Sequence, residues 1–227
     1  MPVAIVTGAS IGLGRALAAG LAAAGWRLVL DARTATTLHA ARAEIGDAAV
    51  AVPGDVTDPV HRAELVEAAN RLGGADLLVN NAGILGPSPQ PALADYPLAA
   101  LREVYEVNVV APLALTQAVL RERTAMIVNV TSDAAVQPYP GWGGYGCTKA
   151  AVEQLSRVLA AERPDVPVWA VDPGDLRTRM HQEAFPGEDI GDRPLPETVV
   201  PAFLRLIGTR PPSGRIRLAD LLVAEPA

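Results

Sequence analysis

Thr7-Gly8-Ala9-Ser10-Ile11-Gly12-Leu13-Gly14-Arg15 follows the apolar run Val3–Val6 and opens an alanine-rich segment. That order reads as strand, tight turn, helix start. Glycine lets the backbone reach positive φ and lets another group approach closely, because no Cβ is in the way. The helix start that follows offers unpaired N–H groups and the positive end of a dipole. The stretch therefore reads as a cradle for a pyrophosphate. Its place between strand and helix gives it far more weight than its glycines alone.

Strand and helix signals alternate outward from that turn. The first helix runs to about Ala24 and closes at Gly25, a common C-terminal residue. Leu28–Leu30 is a short apolar strand, Thr34–Ile45 has helical spacing, and Ala49–Val52 is a third strand. Asp58-Pro59 carries an N-cap with proline at the first helical position, so a helix is expected over Val60–Leu72. Leu77–Asn80 is the fourth strand, and Gly83–Pro97 is a loop. A long helix is expected from Leu98 to Arg121, bent at Pro112 because proline removes a helical hydrogen bond. Strand Ala125–Val130, loop Asp133–Gly144, helix Tyr145–Ala161 and strand Val166–Val171 follow. The span from Pro173 to Pro196 has weak periodicity and reads as a substrate lid. A helix is expected over Thr198–Ile207, its start delayed or kinked by Pro201, and a seventh strand over Ile216–Val223.

Repeated βα units with continuously apolar strands imply a doubly wound parallel α/β sheet with helices on both faces. Ligands of such sheets lie at the carboxyl ends of the strands. The chain has 227 residues, 50% of them hydrophobic, which suits a single domain over residues 1–227. A net charge of −6 offers no basic patch for nucleic acid. The longest apolar stretches are broken by charge, Gly or Pro, so no membrane span is expected. Met1-Pro2 leads straight into a strand without a signal-peptide pattern, and a cytoplasmic protein is expected. The lone Cys147 allows no internal disulfide or zinc cluster. His39, His61 and His181 show no ligand spacing and read as surface or internally satisfied side chains, so no metal site is expected.

Later residues extend the pattern: Asp55 after the third strand, Asn80-Asn81-Ala82-Gly83 after the fourth, and Asn108 in the long helix. Ser132 follows the fifth strand, Tyr145 and Lys149 stand four apart on a helix, and Pro173-Gly174 ends the sixth strand with Thr178 beyond. With these motifs in this order, the chain resembles the short-chain dehydrogenase/reductase family over nearly its whole length. The resemblance implies a Rossmann fold of about seven strands. It also implies an oxidoreductase that moves a hydride between a nicotinamide cofactor and a carbonyl or secondary-alcohol substrate.

The residue types fit that chemistry. Tyr145 and Lys149 at i, i+4 share one helix face. A free phenol titrates near ~10, and a neighbouring ammonium is expected to lower that value. Tyr145 can then act as general acid/base on the substrate oxygen, and the Ser132 hydroxyl can hold the same oxygen. The resemblance adds further roles: Lys149 on the nicotinamide ribose, and Asn108 anchoring a water that leads protons to the lysine. It also implies cofactor contacts from Gly8, Ser10, Ile11, Gly12, Leu13 and Gly14 at the turn. Asp55 and Val56 are placed at the adenine edge, with Asn81, Ala82 and Gly83 after the fourth strand. Pro173, Gly174, Leu176 and Thr178 are placed near the carboxamide.

The end of the second strand sets cofactor choice. In this fold an acidic residue there binds both ribose hydroxyls of NAD. That position falls on Ala32, and Arg33 follows, whose fork of donors suits a 2′-phosphate. NADP(H) is therefore favoured, with NAD(H) as the alternative. Asp31 lies one residue earlier, and strand alternation aims it to the opposite face from Ala32. Ile11 stands where the family often carries a second basic residue. Expected pocket walls are Ile84–Pro91, Asp133–Val136, Tyr139, Trp142 and Asp175–Phe185, with Tyr139 and Trp142 suited to an apolar or aromatic carbonyl compound. Trp142 reads equally as loop packing. Cys147 is expected to point away from the catalytic face. By family analogy the long helix and the Tyr145 helix form a subunit contact, giving a homodimer or homotetramer. The competing readings are an NAD-dependent alcohol dehydrogenase, an epimerase or lyase of the wider family, and a non-catalytic cofactor-sensing protein.

Overall fold

The computed structural model describes residues 1–222. Seven strands form one sheet in the order β3-β2-β1-β4-β5-β6-β7, every neighbouring pair parallel. They are β1 (Val3–Val6), β2 (Arg27–Ala32), β3 (Ala49–Pro53), β4 (Leu77–Asn80), β5 (Met126–Val130), β6 (Val168–Asp172) and β7 (Gly214–Arg217). The winding leaves β1 in one direction through β2 and β3, then returns to lay β4 on the other side of β1. The connections after β1 and β4 therefore leave toward opposite flanks, and a crevice opens between them at the carboxyl ends.

Helices cover both faces. α1 (Gly12–Ala23), α2 (Ala35–Ile45) and α8 (Val200–Thr209) share one core with Leu28, Leu30 and Ala32 of β2. α3 (Pro59–Arg71), α5 (Ala111–Glu122) and α6 (Gly143–Glu162) share the other with Val29. Successive side chains of β2 thus divide between two hydrophobic layers, as a strand buried on both faces requires. Asp58 caps α3, its carboxylate accepting the Val60 N–H at 2.8 Å with Pro59 in the first turn. Among the described residues no helix is long and apolar enough to cross a membrane.

Two elements differ from the sequence expectation, and at a third one of two expected outcomes is found. The long helix is not one bent rod: α4 (Leu98–Tyr105) passes through a π turn at Glu106–Val110 into α5. Pro112 has no N–H for the carbonyl four residues back, that of Asn108. The chain widens locally, and the Ala111 N–H bonds the Glu106 carbonyl five residues behind. Of the two outcomes expected at Pro201, the helix start is delayed to Val200 and the helix is not kinked. The proline sits in the first turn of α8, where its missing N–H costs nothing, after a short 3-10 turn at Pro196–Val199.

The segment expected as strand Ile216–Val223 is divided: β7 ends at Arg217 and α9 (Leu218–Leu222) follows, with Val223 outside the described residues. A short apolar run carries too little periodicity to separate the two conformations. Tertiary contacts decide, since Leu218 is buried against the α1–α8 core. Arg215 pins β7 with bonds to Glu153 at 2.8 Å and Asp172 at 2.7 Å.

Candidate functional site

The crevice between β1 and β4 is cross-bonded at its floor. The Thr7 hydroxyl accepts the N–H groups of Asn81 and Ala82, both at 3.0 Å, and the Asn81 carboxamide donates to the carbonyls of Thr7 (2.9 Å) and Gly8 (3.2 Å). Asn81 therefore shapes the glycine turn from behind. Gly8 and Gly12 take positive φ, 64° and 56°. A Cβ on Gly14 would collide with the Gly8 carbonyl and the Asn81 amide. These positions need glycine, and the concavity they leave at the start of α1 fits a pyrophosphate.

One large cavity runs from this turn across the carboxyl ends of the strands. It is lined by Gly8, Ser10, Ile11, Gly12, Leu13, Gly14, Arg33, Asp55, Val56, Asn81, Ala82, Gly83, Ser132, Tyr145, Lys149, Pro173, Gly174, Leu176 and Thr178. Every catalytic or cofactor-contact residue named from the sequence reaches it except Asn108. That side chain is buried behind the wall, where its carboxamide bonds Ile84 N–H and C=O at 2.9 Å each and Thr148 Oγ1 at 3.1 Å. Its amide is fully used in bracing the loop after β4. At Gly83, the position where a Cβ would point is flanked by Asn108 Oδ1 and Lys149 Nζ.

Tyr145 and Lys149 lie on the same face of α6, both buried. The ammonium sits 5.4 Å from the centre of the phenol ring and donates to the Val130 carbonyl at 2.8 Å. Burial lowers Lys149 to about 8. The expected depression of Tyr145 is not found: burial pushes the phenol above its usual range, and the carboxylates of Asp133 and Asp172 push the same way. The Lys149 ammonium over the ring favours the phenolate but is outweighed by that burial. Ser132 donates to Asp133 Oδ1 at 2.9 Å and accepts the Ala134 N–H at 3.2 Å.

Asp55 takes both the N–H and the hydroxyl of Thr57 at 2.8 Å. Burial works to raise its carboxyl, yet these bonds hold it below the usual value. Thr178 caps the short α7 (Arg179–Ala184), accepting the His181 N–H at 3.1 Å, which leaves its O–H free to donate.

On the substrate side, Ile84, Leu85, Asp133, Trp142, Asp175, Met180, His181 and Ala184 line the same cavity. Trp142 also packs edge-on to Tyr145 and tilted to Phe185, each at 5.9 Å between ring centres. It thus serves wall and loop packing together. Tyr139 does not reach the cavity: it is exposed and its hydroxyl donates to Asp133 Oδ2 at 2.8 Å. Gly86 and Pro87 line a neighbouring hollow instead. Cys147 is exposed, away from the Tyr145 face.

The sequence reading missed one pair. Asp31 lines the cavity and bonds His61 Nε2 at 2.7 Å, with both side chains buried. His61 continues the inward stripe of α3 with Leu65 and Ala68, a spacing that could have marked it as buried.

Comparison with known proteins places these observations. A family model described as short chain dehydrogenase matches residues 2–189. Sepiapterin reductase of Rattus norvegicus is 35% identical over 201 residues, covering 80% of this chain and 77% of that protein. Among solved structures, a short chain dehydrogenase of Shigella flexneri 2a str. 301 complexed with NADP superposes with a TM-score of 0.88 at 27% identity, covering 95% of each chain. A 3-ketoacyl-(acyl-carrier-protein) reductase of Brucella melitensis complexed with NADH gives 0.86 at 26% identity, covering 95% of this chain and 96% of that one.

Proposed function

The chain belongs to the short chain dehydrogenase family, and from that premise we propose that it is an NADP(H)-dependent oxidoreductase acting on a carbonyl or secondary-alcohol compound. The observation that carries this reading is the meeting of Tyr145, Lys149 and Ser132 with the glycine turn in one cavity. When bound, the nicotinamide supplies or accepts the hydride. The chain's own residues hold and position. The α1 N-terminus and its glycines receive the pyrophosphate, Arg33 the 2′-phosphate, and Lys149 the nicotinamide ribose.

Tyr145 moves the proton. A phenol held above its usual range stays protonated at neutral pH. It is set to give a proton to a carbonyl oxygen in the reductive direction. The Lys149 ammonium over the ring stabilises the phenolate left behind. That support is present while the lysine is charged and is lost as pH rises through about 8. The kcat/KM for carbonyl reduction is therefore expected to be level below that pH and to fall above it, approaching about tenfold per pH unit. A rate profile with NADPH checks this, and a rise through the same range would contradict the assignment.

NADPH absorbance loss across a panel of ketones, aldehydes and diketones tests the activity. Absence of turnover with every carbonyl would favour a cofactor-sensing role. Arg33→Ala is expected to weaken NADPH binding roughly ten- to hundredfold and to leave NADH binding nearly unchanged, since one charge-assisted pair is removed. Fluorescence titration of both cofactors measures it, and a wild-type preference for NADH would sink the NADP(H) reading. The apolar Val110, Leu113 and Val158, exposed on the α5–α6 side, fit the subunit contact expected of a homodimer or homotetramer.

A further inference from the structure

Beneath the Arg33 end of the cavity lies a buried ion pair that the proposed chemistry does not use. Asp31 is 1% exposed and His61 4%. Asp31 Oδ1 meets His61 Nε2 at 2.7 Å, and Oδ2 receives the Gly8 N–H at 3.4 Å, tying the pair to the glycine turn. His61 Nδ1 is buried without a hydrogen-bond partner. The imidazole presses on Gly54, where a Cβ would overlap the ring. Asp31 lines the cavity and His61 stands behind it.

The charges around this spot are few. Asp31 comes from β2, Asp55 from the loop after β3, and Arg33 from the loop after β2. Glu64, on the same helix as His61, places Oε2 3.6 Å from Nδ1 and is largely in solvent. The Gly8 backbone closes the β1 side. At this end of the cavity the carboxylates of Asp31 and Asp55 thus stand beside the permanent cation of Arg33. A 2′-phosphate arriving there adds further negative charge, and whether Asp31 opposes it depends on the group bonded behind it.

We propose that His61 is a positioning residue for cofactor choice: its imidazolium cancels the Asp31 carboxylate, so that losing its proton weakens ligands with a 2′-phosphate and spares those with a free 2′-hydroxyl. This rests on the reading that the cavity binds the dinucleotide with its 2′-phosphate at Arg33. The hydrogen bond to Asp31 raises His61 above its ordinary value although burial opposes it. The charged form therefore persists to higher pH than in an ordinary imidazole and is lost as pH rises through that raised value. The sign is diagnostic. A free 2′-phosphate gains charge as pH rises through about 6, which by itself would tighten its grip on Arg33.

The test measures Kd for NADPH and NADH, and for 2′,5′-ADP and 5′-AMP as probes without nicotinamide, on the full chain from about pH 6 to about pH 9. The ratio Kd(NADPH)/Kd(NADH) is expected to rise roughly three- to thirtyfold across the His61 titration, with the probes following. His61→Gln keeps a side-chain donor for Asp31 without the charge, and should hold the ratio near its high-pH wild-type value throughout. Asp31→Asn should hold it near the low-pH value. The histidine proton NMR signal missing from His61→Gln should, in the wild type, titrate at the same midpoint as the ratio. A preference for NADH at every pH overturns the NADP(H) reading. A steady preference for NADPH with a ratio that ignores pH overturns the role of His61.

Discussion

Tyr145→Phe is expected to cut kcat/KM for carbonyl reduction by about a hundred- to ten-thousandfold, with cofactor affinity nearly unchanged. The substitution removes one oxygen and keeps the ring. The ring is what packs against Trp142 at 5.9 Å and lies beneath Lys149, so α6 should keep its place. The loss corresponds to about 3–5 kcal/mol of transition-state stabilisation. Steady-state kinetics with NADPH, beside fluorescence titration of NADPH, separates the proton step from binding. Turnover surviving within a few-fold of wild type would remove Tyr145 from the proton step.

The second large effect is expected at Gly14. Gly14→Ala places a methyl against the Gly8 carbonyl and the Asn81 amide. Both neighbours are held, Asn81 by its bonds to the Thr7 and Gly8 carbonyls. Neither can retreat without opening the turn, and overpacking of this kind costs about 1–3 kcal/mol. Because the displaced atoms form the proposed pyrophosphate cradle, the cost should appear in binding: dinucleotide affinity lowered by roughly five- to a hundredfold. Thermal unfolding with and without NADPH checks it. The variant should lose most of the cofactor-induced rise in Tm, and a full rise would show that the turn tolerates a side chain.

The glycine turn, the strand alternation of β2 and the Asp58-Pro59 start of α3 were legible because each is a local signal with a local cause. The sites where expectation failed depend on what lies across the fold. Pro112 announced an interruption, but the residue alone does not tell a bend from the π turn that re-pairs the Ala111 N–H with the Glu106 carbonyl. Leu218–Leu222 had no strong period, and its burial against the α1–α8 core decided for helix. Tyr139 carried a plausible residue type for the cavity, yet its exposed ring stays outside while its hydroxyl bonds the wall residue Asp133. The direction of the Tyr145 shift turned on burial and on Asp133 and Asp172, none of which the i, i+4 spacing contains. Asp31 was noticed at the strand end, whereas its partner lay thirty positions away on α3 and needed the contact between β2 and α3 to be seen.

The cross-bonding of Thr7 with Asn81 divides the labour of the molecule. The cofactor half is built from strand ends and held by short bonds between β1 and β4. The substrate half rests on loops, the six-residue α7 and loosely stacked rings. Mutations that enlarge, shrink or repolarise the second leave the first standing. On the proposed function, substrate preference can therefore change while the cofactor stays the same, and directed evolution for a new carbonyl compound should find its useful changes between Trp142 and Phe185 rather than in the turn that opens the fold.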